Sequence, residues 1–407
     1  MNARGTSATN AALLAGLVLA AVVPLGRAAG AEPAAMAGEA APANAWPMFR
    51  GTAAGTGRSA SVLRLPLEVI WKRELSKVGF DATPVILEGT VYLGDLDGRF
   101  FAVRLDDGTV RWEDRSAAGY SAAAAAGTLV VVGDLEGIVR GFDRATGRER
   151  WQHATEGEIS GGPTLLPAGG RLPERVLVGS QDTTLRCLAL ADGRLLWQQS
   201  IPDQIRCSPT VAGGRVFLAG CDGRLHVIDA ANGEKIGELP IDGPTGTTPA
   251  AHGGRVFFGS EGGTFWGIEI AGPNVAWKSA PAAGAQAYRS TAAIAEGGGG
   301  PVAIVGSRGR MLTAFTLADG KPAWRQRMRG RVDASPLVVT AESDGARREL
   351  AIVGDAAGRV VAVATDSGEF VWEFDAGAGF SASPAAAEGR LLLAGEDGTL
   401  WCFGPTP

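Results

Sequence analysis

Short β-like runs of apolar and small residues, broken by polar turns, repeat along most of this chain, and one stretch shows the unit. In residues 80 to 112, FDATPVILEGTVYLGDLDGRFFAVRLDDGTVRW, the pattern predicts four strands. The first, Asp81 to Leu87, reaches a turn at Glu88-Gly89. The second, Thr90 to Leu93, ends at Gly94-Asp95-Leu96-Asp97-Gly98. The third covers Phe100 to Leu105, and Asp107-Gly108 turns the chain into a fourth that ends on Trp112. Asp-Gly and Asn-Gly supply the positive φ angles that tight hairpins need. The same turn recurs at Thr146-Gly147, Asp192-Gly193, Asn232-Gly233, Asp319-Gly320 and Ser367-Gly368, and departs once, at Gly272-Pro273-Asn274.

Tryptophans mark the period. Trp71, Trp112, Trp151, Trp197, Trp277, Trp324 and Trp372 each end a strand, 39 to 48 residues apart except for a double gap after Trp197. Ile236 is read as occupying the place of the missing ring. Four short strands in a unit of forty-odd residues indicate an eight-bladed β-propeller, an all-β fold of four-stranded antiparallel blades. Eight inner strands begin near Phe80, Tyr120, Ile159, Ile205, Thr245, Tyr288, Val332 and Phe380. They are poor in bulk, as in Ser121-Ala-Ala-Ala-Ala-Ala126, which suits crowding around an axis. The tryptophans suit the wider rim, where a large ring fills the gap between neighbouring blades. The last copy stops after its third strand, so the strand ending near Leu75 is expected to complete the eighth blade and close the ring, removing an exposed edge.

Composition adds a compartment. Arg4, the apolar stretch Ala11 to Leu25 and the small residues Ala29-Gly30-Ala31 resemble a secretory signal over residues 1–31. Residues 32–45, EPAAMAGEAAPANA, are expected to be a flexible low-complexity leader, 46–66 a lead-in segment and 67–407 the propeller. Cleavage near Ala31 would shift the formal charge from −5 to −7. A mildly acidic chain without a basic run argues against nucleic acid as partner. Nothing after residue 31 is long and apolar enough for a transmembrane helix. An exported chain, periplasmic or secreted, is the expectation.

Candidate chemistry is sparse. Cys187 and Cys402 fall in a third-strand column otherwise held by Ala102, Gly141, Val227, Gly267, Thr313 and Ala362, and read as small buried hydrophobes. Cys207 and Cys221 lie on the first two strands of the fourth repeat. The turn at Gly213-Gly214 pairs 212 with 215, which puts Cys221 one residue out of register with Cys207, so a disulfide between them would need a bulge or a shifted turn. At the start of the inner strands one column reads Asp81, Ser121, Ser160, Arg206, Gly246, Arg289, Asp333 and Ser381. These positions should ring one mouth of the central channel. Asp81, Arg206, Arg289 and Asp333 are then the candidate site for a polar ligand or a partner's loop, or simply wet charges at a channel mouth. Acidic turns such as Asp95-Leu96-Asp97 lack the dense oxygen ligands of a calcium site and read as turn formers. No catalytic triad, phosphate loop or paired-histidine motif occurs.

The repeat Gly137-Ile-Val-Arg-Gly-Phe-Asp-Arg-Ala-Thr-Gly-Arg-Glu-Arg-Trp151 resembles the tryptophan-docking repeat of the PQQ-type propellers, and Trp46-Pro-Met-Phe-Arg-Gly51 resembles the segment before the first blade in exported members. The resemblance covers residues 46 to 404. Its enzymatic branch, the quinoprotein alcohol dehydrogenases, implies PQQ with calcium, an acidic catalytic residue and two adjacent cysteines. This chain has no adjacent cysteines and only short insertions, such as 342–349, so no catalytic residue, cofactor ligand or metal ligand carries over. The non-enzymatic branch, similar to BamB, implies a cofactor-free scaffold working with envelope or cell-surface proteins. Unlike that branch, this sequence has no lipid-anchor cysteine after its apolar core.

Overall fold

A computed structural model describes residues 40–280 and 287–405, and the expected signal and most of the expected leader lie outside these. The described residues form strands, turns and bends, with no helix among them. Eight sheets carry the repeats. Blade 1 spans 85–114, blade 2 120–154, blade 3 164–200 and blade 4 210–240. Blade 5 spans 250–279, blade 6 293–327, blade 7 337–375 and blade 8 385–404. Each is a meander whose first strand is innermost. Blade 8 takes its outer strand from Glu68–Glu74, which pairs antiparallel with Thr399–Gly404 in a register that sets Trp71 opposite Cys402. The ring closes as the repeat count requires.

The tryptophans lock blade to blade. The indole N–H of Trp71 donates to Leu105 O at 2.8 Å, Trp112 to Arg144 O at 2.9 Å and Trp151 to Leu190 O at 3.0 Å. Trp277, Trp324 and Trp372 donate likewise to Leu317, Thr365 and Leu67. The rings of Trp71, Trp112, Trp151, Trp277 and Trp324, and that of Trp197, each lie against the turn glycine of the next blade. A Cβ on Gly193 would come within 2.4 Å of the Trp151 ring, and one on Gly320 within 2.3 Å of Trp277. These glycines also hold φ near +70°, so both backbone and packing exclude a side chain.

Two sequence alignments shift by one residue. The ladder sets Val227 opposite Gly237 and leaves Ile236 in the bulge, so the ring missing from blade 4 is replaced by Gly237. Facing it, Pro273 occupies the turn position that is glycine elsewhere, 3.3 Å from where a Gly237 Cβ would lie. Ring and glycine have exchanged sides, and the gap stays filled. In blade 6 Trp324 faces Ala314, and Thr313 faces Arg325. Thr313 therefore leaves the small-residue column, in which Ala102, Gly141 and Ala362 do face tryptophans.

The first strands are shorter than the alternation suggests. In blade 1 only Val85–Leu87 joins the ladder. Pro84 has no N–H to give, and residues ahead of it bond to neighbouring blades instead. The channel-facing edges left over are covered by the lead-in. Its carbonyls at Pro47, Ala53, Ala54, Thr56, Gly57 and Ala43 accept from Ala125, Val211, Ala251, Ile294, Val338 and Glu388, on six different blades, at 2.7–2.9 Å. Ala45–Trp46 pairs with blade 1, and Arg58–Arg64 runs parallel to the first strand of blade 7. Ala41, Ala45 and Trp46 are buried, so structure begins before residue 46. One end of the channel is thereby sealed.

Candidate functional site

At the opposite end the channel opens into a cavity of about 300 Å³. All eight column positions, Asp81, Ser121, Ser160, Arg206, Gly246, Arg289, Asp333 and Ser381, lie on its wall. The structure thus brings the four charged candidates to one mouth. It does not pair them across the axis. Arg206 is exposed and donates from Nε and Nη2 to Gln204 Oε1 at 3.1 and 2.7 Å. Arg289 meets Glu261 at 3.3 Å, on the preceding blade. Asp333 is held between Arg308 at 3.3 Å and Arg331 at 2.8 Å. Asp81 is exposed and has no ion-pair partner among the described residues.

The walls differ around the ring. On blades 1 and 2 Leu96, 45% exposed, and Leu135 line the cavity beside Tyr120 and Ala122. Below them Phe49 rises from the lead-in and forms part of the floor. Its place depends on Ala122 and Gly162, whose positions in blades 2 and 3 carry no bulk. Behind Phe49 the lead-in buries Arg50, with φ at +61° and the guanidinium 6.0 Å from the Phe49 ring centre. Burial pushes this guanidinium down to about 9, and Nη2 donates to Ala292 O at 3.1 Å. A Cβ on Gly57 would overlap that Nη2, so Gly57 makes room for the side chain.

The rest of the floor is a ring of hydroxyls that the sequence reading missed. Ser208 N donates to Thr248 Oγ1, Thr248 N to Thr291 Oγ1 and Thr291 N to Ser335 Oγ. Ser335 N donates to Ser383 Oγ and Ser383 N to Thr83 Oγ1, so five bonds of 2.9–3.2 Å pass from blade 4 round to blade 1. The signal for it was the recurring Ser-Pro or Thr-Pro at 83–84, 208–209, 248–249, 335–336 and 383–384.

Other candidates resolve into structure. Asp95 Oδ1 accepts from Asp97 N and Arg99 N, Asp134 Oδ1 from Glu136 N and Ile138 N, and Asp355 Oδ1 from Ala357 N and Arg359 N. These carboxylates hold the second turn of the blade, an Asx-type role. Cys187 and Cys402 are buried, and burial pushes both thiols up to about 12. Cys207 and Cys221 are free thiols. The turn does pair Ala212 with Arg215, but the ladder stops at Thr210, and Cys207 turns into the apolar cluster with Ile205 and Leu218. A wider recess of about 750 Å³ lies at blades 6 and 7, but Arg58 there already pairs with Glu296 at 3.0 Å and Glu349 at 2.9 Å.

Residues 64–164, 135–236, 181–300 and 341–404 match the family described as outer membrane protein assembly factor BamB. The chain belongs to the BamB family. A BamB protein of Burkholderia pseudomallei (strain K96243) is 24% identical over 364 residues, covering 84% of this chain and 89% of that protein. One of Yersinia pestis is 24% identical over 327 residues, covering 68% and 82%. Among solved structures, BamB from Moraxella catarrhalis superposes with a TM-score of 0.63 at 18% identity, over 84% of this chain and 98% of that one. The quinohemoprotein alcohol dehydrogenase of Comamonas testosteroni superposes with 0.66 at 15%, over 91% and 82%. At such identities these likenesses speak for the fold alone.

The dehydrogenase fold raises the question of PQQ with calcium, and the cavity does not fit them. PQQ carries three carboxylates, against which the wall sets Asp81, Glu158 and Asp333 with only Arg206 and Arg289 to receive them, and Phe49 and the hydroxyl ring close the floor beneath it. Among the described residues no group of three or more His, Cys, Asp or Glu could hold a metal ion.

Proposed function

We propose that this BamB-family chain is an exported, non-catalytic propeller that serves as a protein-interaction scaffold in outer-membrane protein assembly. The mature chain, cleaved near Ala31, works in the periplasm and presents the channel mouth to another envelope or cell-surface protein. Family membership carries this reading, because the match runs through most of the repeats. The mouth supports it locally. Arg206 and Arg289 are exposed, line the cavity, and are tied only to Gln204 and to the half-exposed Glu261, so a partner can take them at little cost.

Crosslinking in cell envelopes tests this reading. The double variant Arg206→Ala, Arg289→Ala should recover less partner than wild type while its unfolding midpoint stays put, since exposed substitutions usually shift stability by no more than about 0.5 kcal/mol. Undiminished recovery with the double variant removes the mouth from the partner site. Failure of the wild type to crosslink any envelope protein removes the scaffold role.

A further inference from the structure

The floor of the cavity has an unbalanced hydrogen-bond count. Each of the five hydroxyls, Thr248, Thr291, Ser335, Ser383 and Thr83, accepts a backbone N–H from its neighbouring blade. A hydroxyl that accepts still has one proton to donate. Among the described residues none of these five donates to a protein acceptor, and all five are more than nine-tenths buried on the cavity wall. Five hydroxyl protons on the cavity wall therefore have no protein acceptor among the described residues, and the carboxylates that share the wall are Asp81, Glu158 and Asp333, the last already paired with Arg308 and Arg331. The charged groups nearest the cavity on blades 4 and 6 are cations, Arg206 and Arg289. The opposite wall is apolar at Leu96, Leu135 and Phe49.

We infer that the cavity binds a carboxylate carried next to an apolar side chain on a partner's peptide. The carboxylate accepts from the hydroxyl ring and from Arg206 or Arg289, and the apolar group packs on Leu96 and Leu135. Charge-assisted hydrogen bonds to a carboxylate are the strong ones, and a low-dielectric cup strengthens them further. At about 300 Å³ the cavity lies at the lower limit of small-ligand pockets, so a chain end or the tip of a loop enters it, and a helix or strand does not. Asp81, Glu158 and Asp333 lie on the same wall, so the ligand carboxylate is held to the arginine side and a second one would be repelled. This inference rests on the scaffold reading and names the chemistry its partner must show.

Calorimetric titration of the mature chain from Glu32 onward tests it with three probes. N-acetyl-phenylalanine carries both groups as a chain end would, N-acetyl-aspartyl-leucinamide carries them as a loop would, and N-acetyl-phenylalaninamide has no carboxylate. Either of the first two should bind with a dissociation constant of about millimolar or tighter. The stronger of the two identifies chain end or loop as the source. The amide should bind at least about tenfold more weakly, as should the acids to Arg206→Gln, Arg289→Gln. Leu96→Ser should weaken both acids and leave the arginines' contribution intact. No binding of either acid to wild type, or equal binding of acid and amide, overturns the inference. The two readings fail separately. Probe binding with unchanged envelope crosslinks in the arginine variant sinks the mouth as partner site and leaves the carboxylate site standing.

Discussion

The contact between tryptophan and turn glycine is repeated at six blade interfaces, and one pair of glycines isolates its strength. Gly320 and Gly89 both hold left-handed backbone, at φ of +70° and +65°. Alanine at either position costs about 1–2 kcal/mol for that conformation alone. Beyond this the two sites differ completely. A Cβ at Gly89 meets nothing within 4 Å, whereas one at Gly320 would lie 2.3 Å from Trp277. The ring cannot retreat easily, because its N–H is bonded to Leu317 O at 2.9 Å and Phe257 and Phe265 pack near it at 5.7 and 6.1 Å. Overpacking of this kind costs about 1–3 kcal/mol more. Gly320→Ala should therefore lower the urea midpoint clearly further than Gly89→Ala, with an unchanged denaturant slope. Trp277→Phe in the Gly320→Ala background should recover part of the loss, because the smaller ring relieves the clash. Equal midpoints for Gly320→Ala and Gly89→Ala would refute the argument that the rings wedge the blades together.

Arg50 is pushed down to about 9 from its ordinary 12.5 by burial, so the unfolded chain binds this proton more tightly than the folded one. Below pH 9 that difference works fully against folding, and it fades as pH rises from 9 toward 12.5. Arg50→Met should thus be neutral or stabilising at pH 7, with its advantage shrinking when unfolding is repeated at pH 10; a large loss at pH 7 would show that Ala292 and Phe49 compensate the charge. Removing residues 1–66 keeps the closing strand but uncovers the inner edges. The amides of Ala125, Val211, Ala251, Ile294 and Val338 should then exchange with deuterium on the order of a hundredfold faster, which mass spectrometry reads directly. Thiol titration should find four reactive cysteines in denaturant. In native protein at pH 8 only the half-buried Cys221 should react, because Cys187, Cys207 and Cys402 are buried and pushed up to about 12. Two reactive thiols in denaturant would mean that Cys207 and Cys221 do bond.

The blade count was legible because turn glycine and tryptophan recur at fixed spacing, and both residue types answer to a single geometric need. Registers were less legible where one signal was missing. Without a tryptophan in blade 4, the larger Ile236 drew the alignment, although counting four residues on from Gly233 leads to Gly237 as it leads from Gly147 to Trp151. The mouth column was readable because inner strands start after a recognisable loop. Its ion pairs were not, since Arg289 and Asp333 bond to the second turns of preceding blades, and single-chain spacing does not say which blades touch. The hydroxyl ring stayed hidden for a similar reason. Its serines and threonines look like ordinary strand residues until five backbone N–H groups from neighbouring blades are seen to end on them.

Those two sets of bonds also show why the lead-in matters to the site. Between blades 3 and 4 the Trp197 indole N–H has no partner, and Thr164 Oγ1 donates across the seam to Pro209 O at 2.6 Å instead. The next seam has the exchanged pair, Gly237 and Pro273, in place of a bonded ring. At just these blades the lead-in places consecutive carbonyls, Ala53 on Val211 and Ala54 on Ala251. The segment that covers the channel thus also bridges blades 4 and 5, where the bonded ring is absent, and Phe49 on the same segment floors the cavity. On the proposed reading a partner's peptide enters by the mouth, past Leu96 on one side and Arg206 on the other.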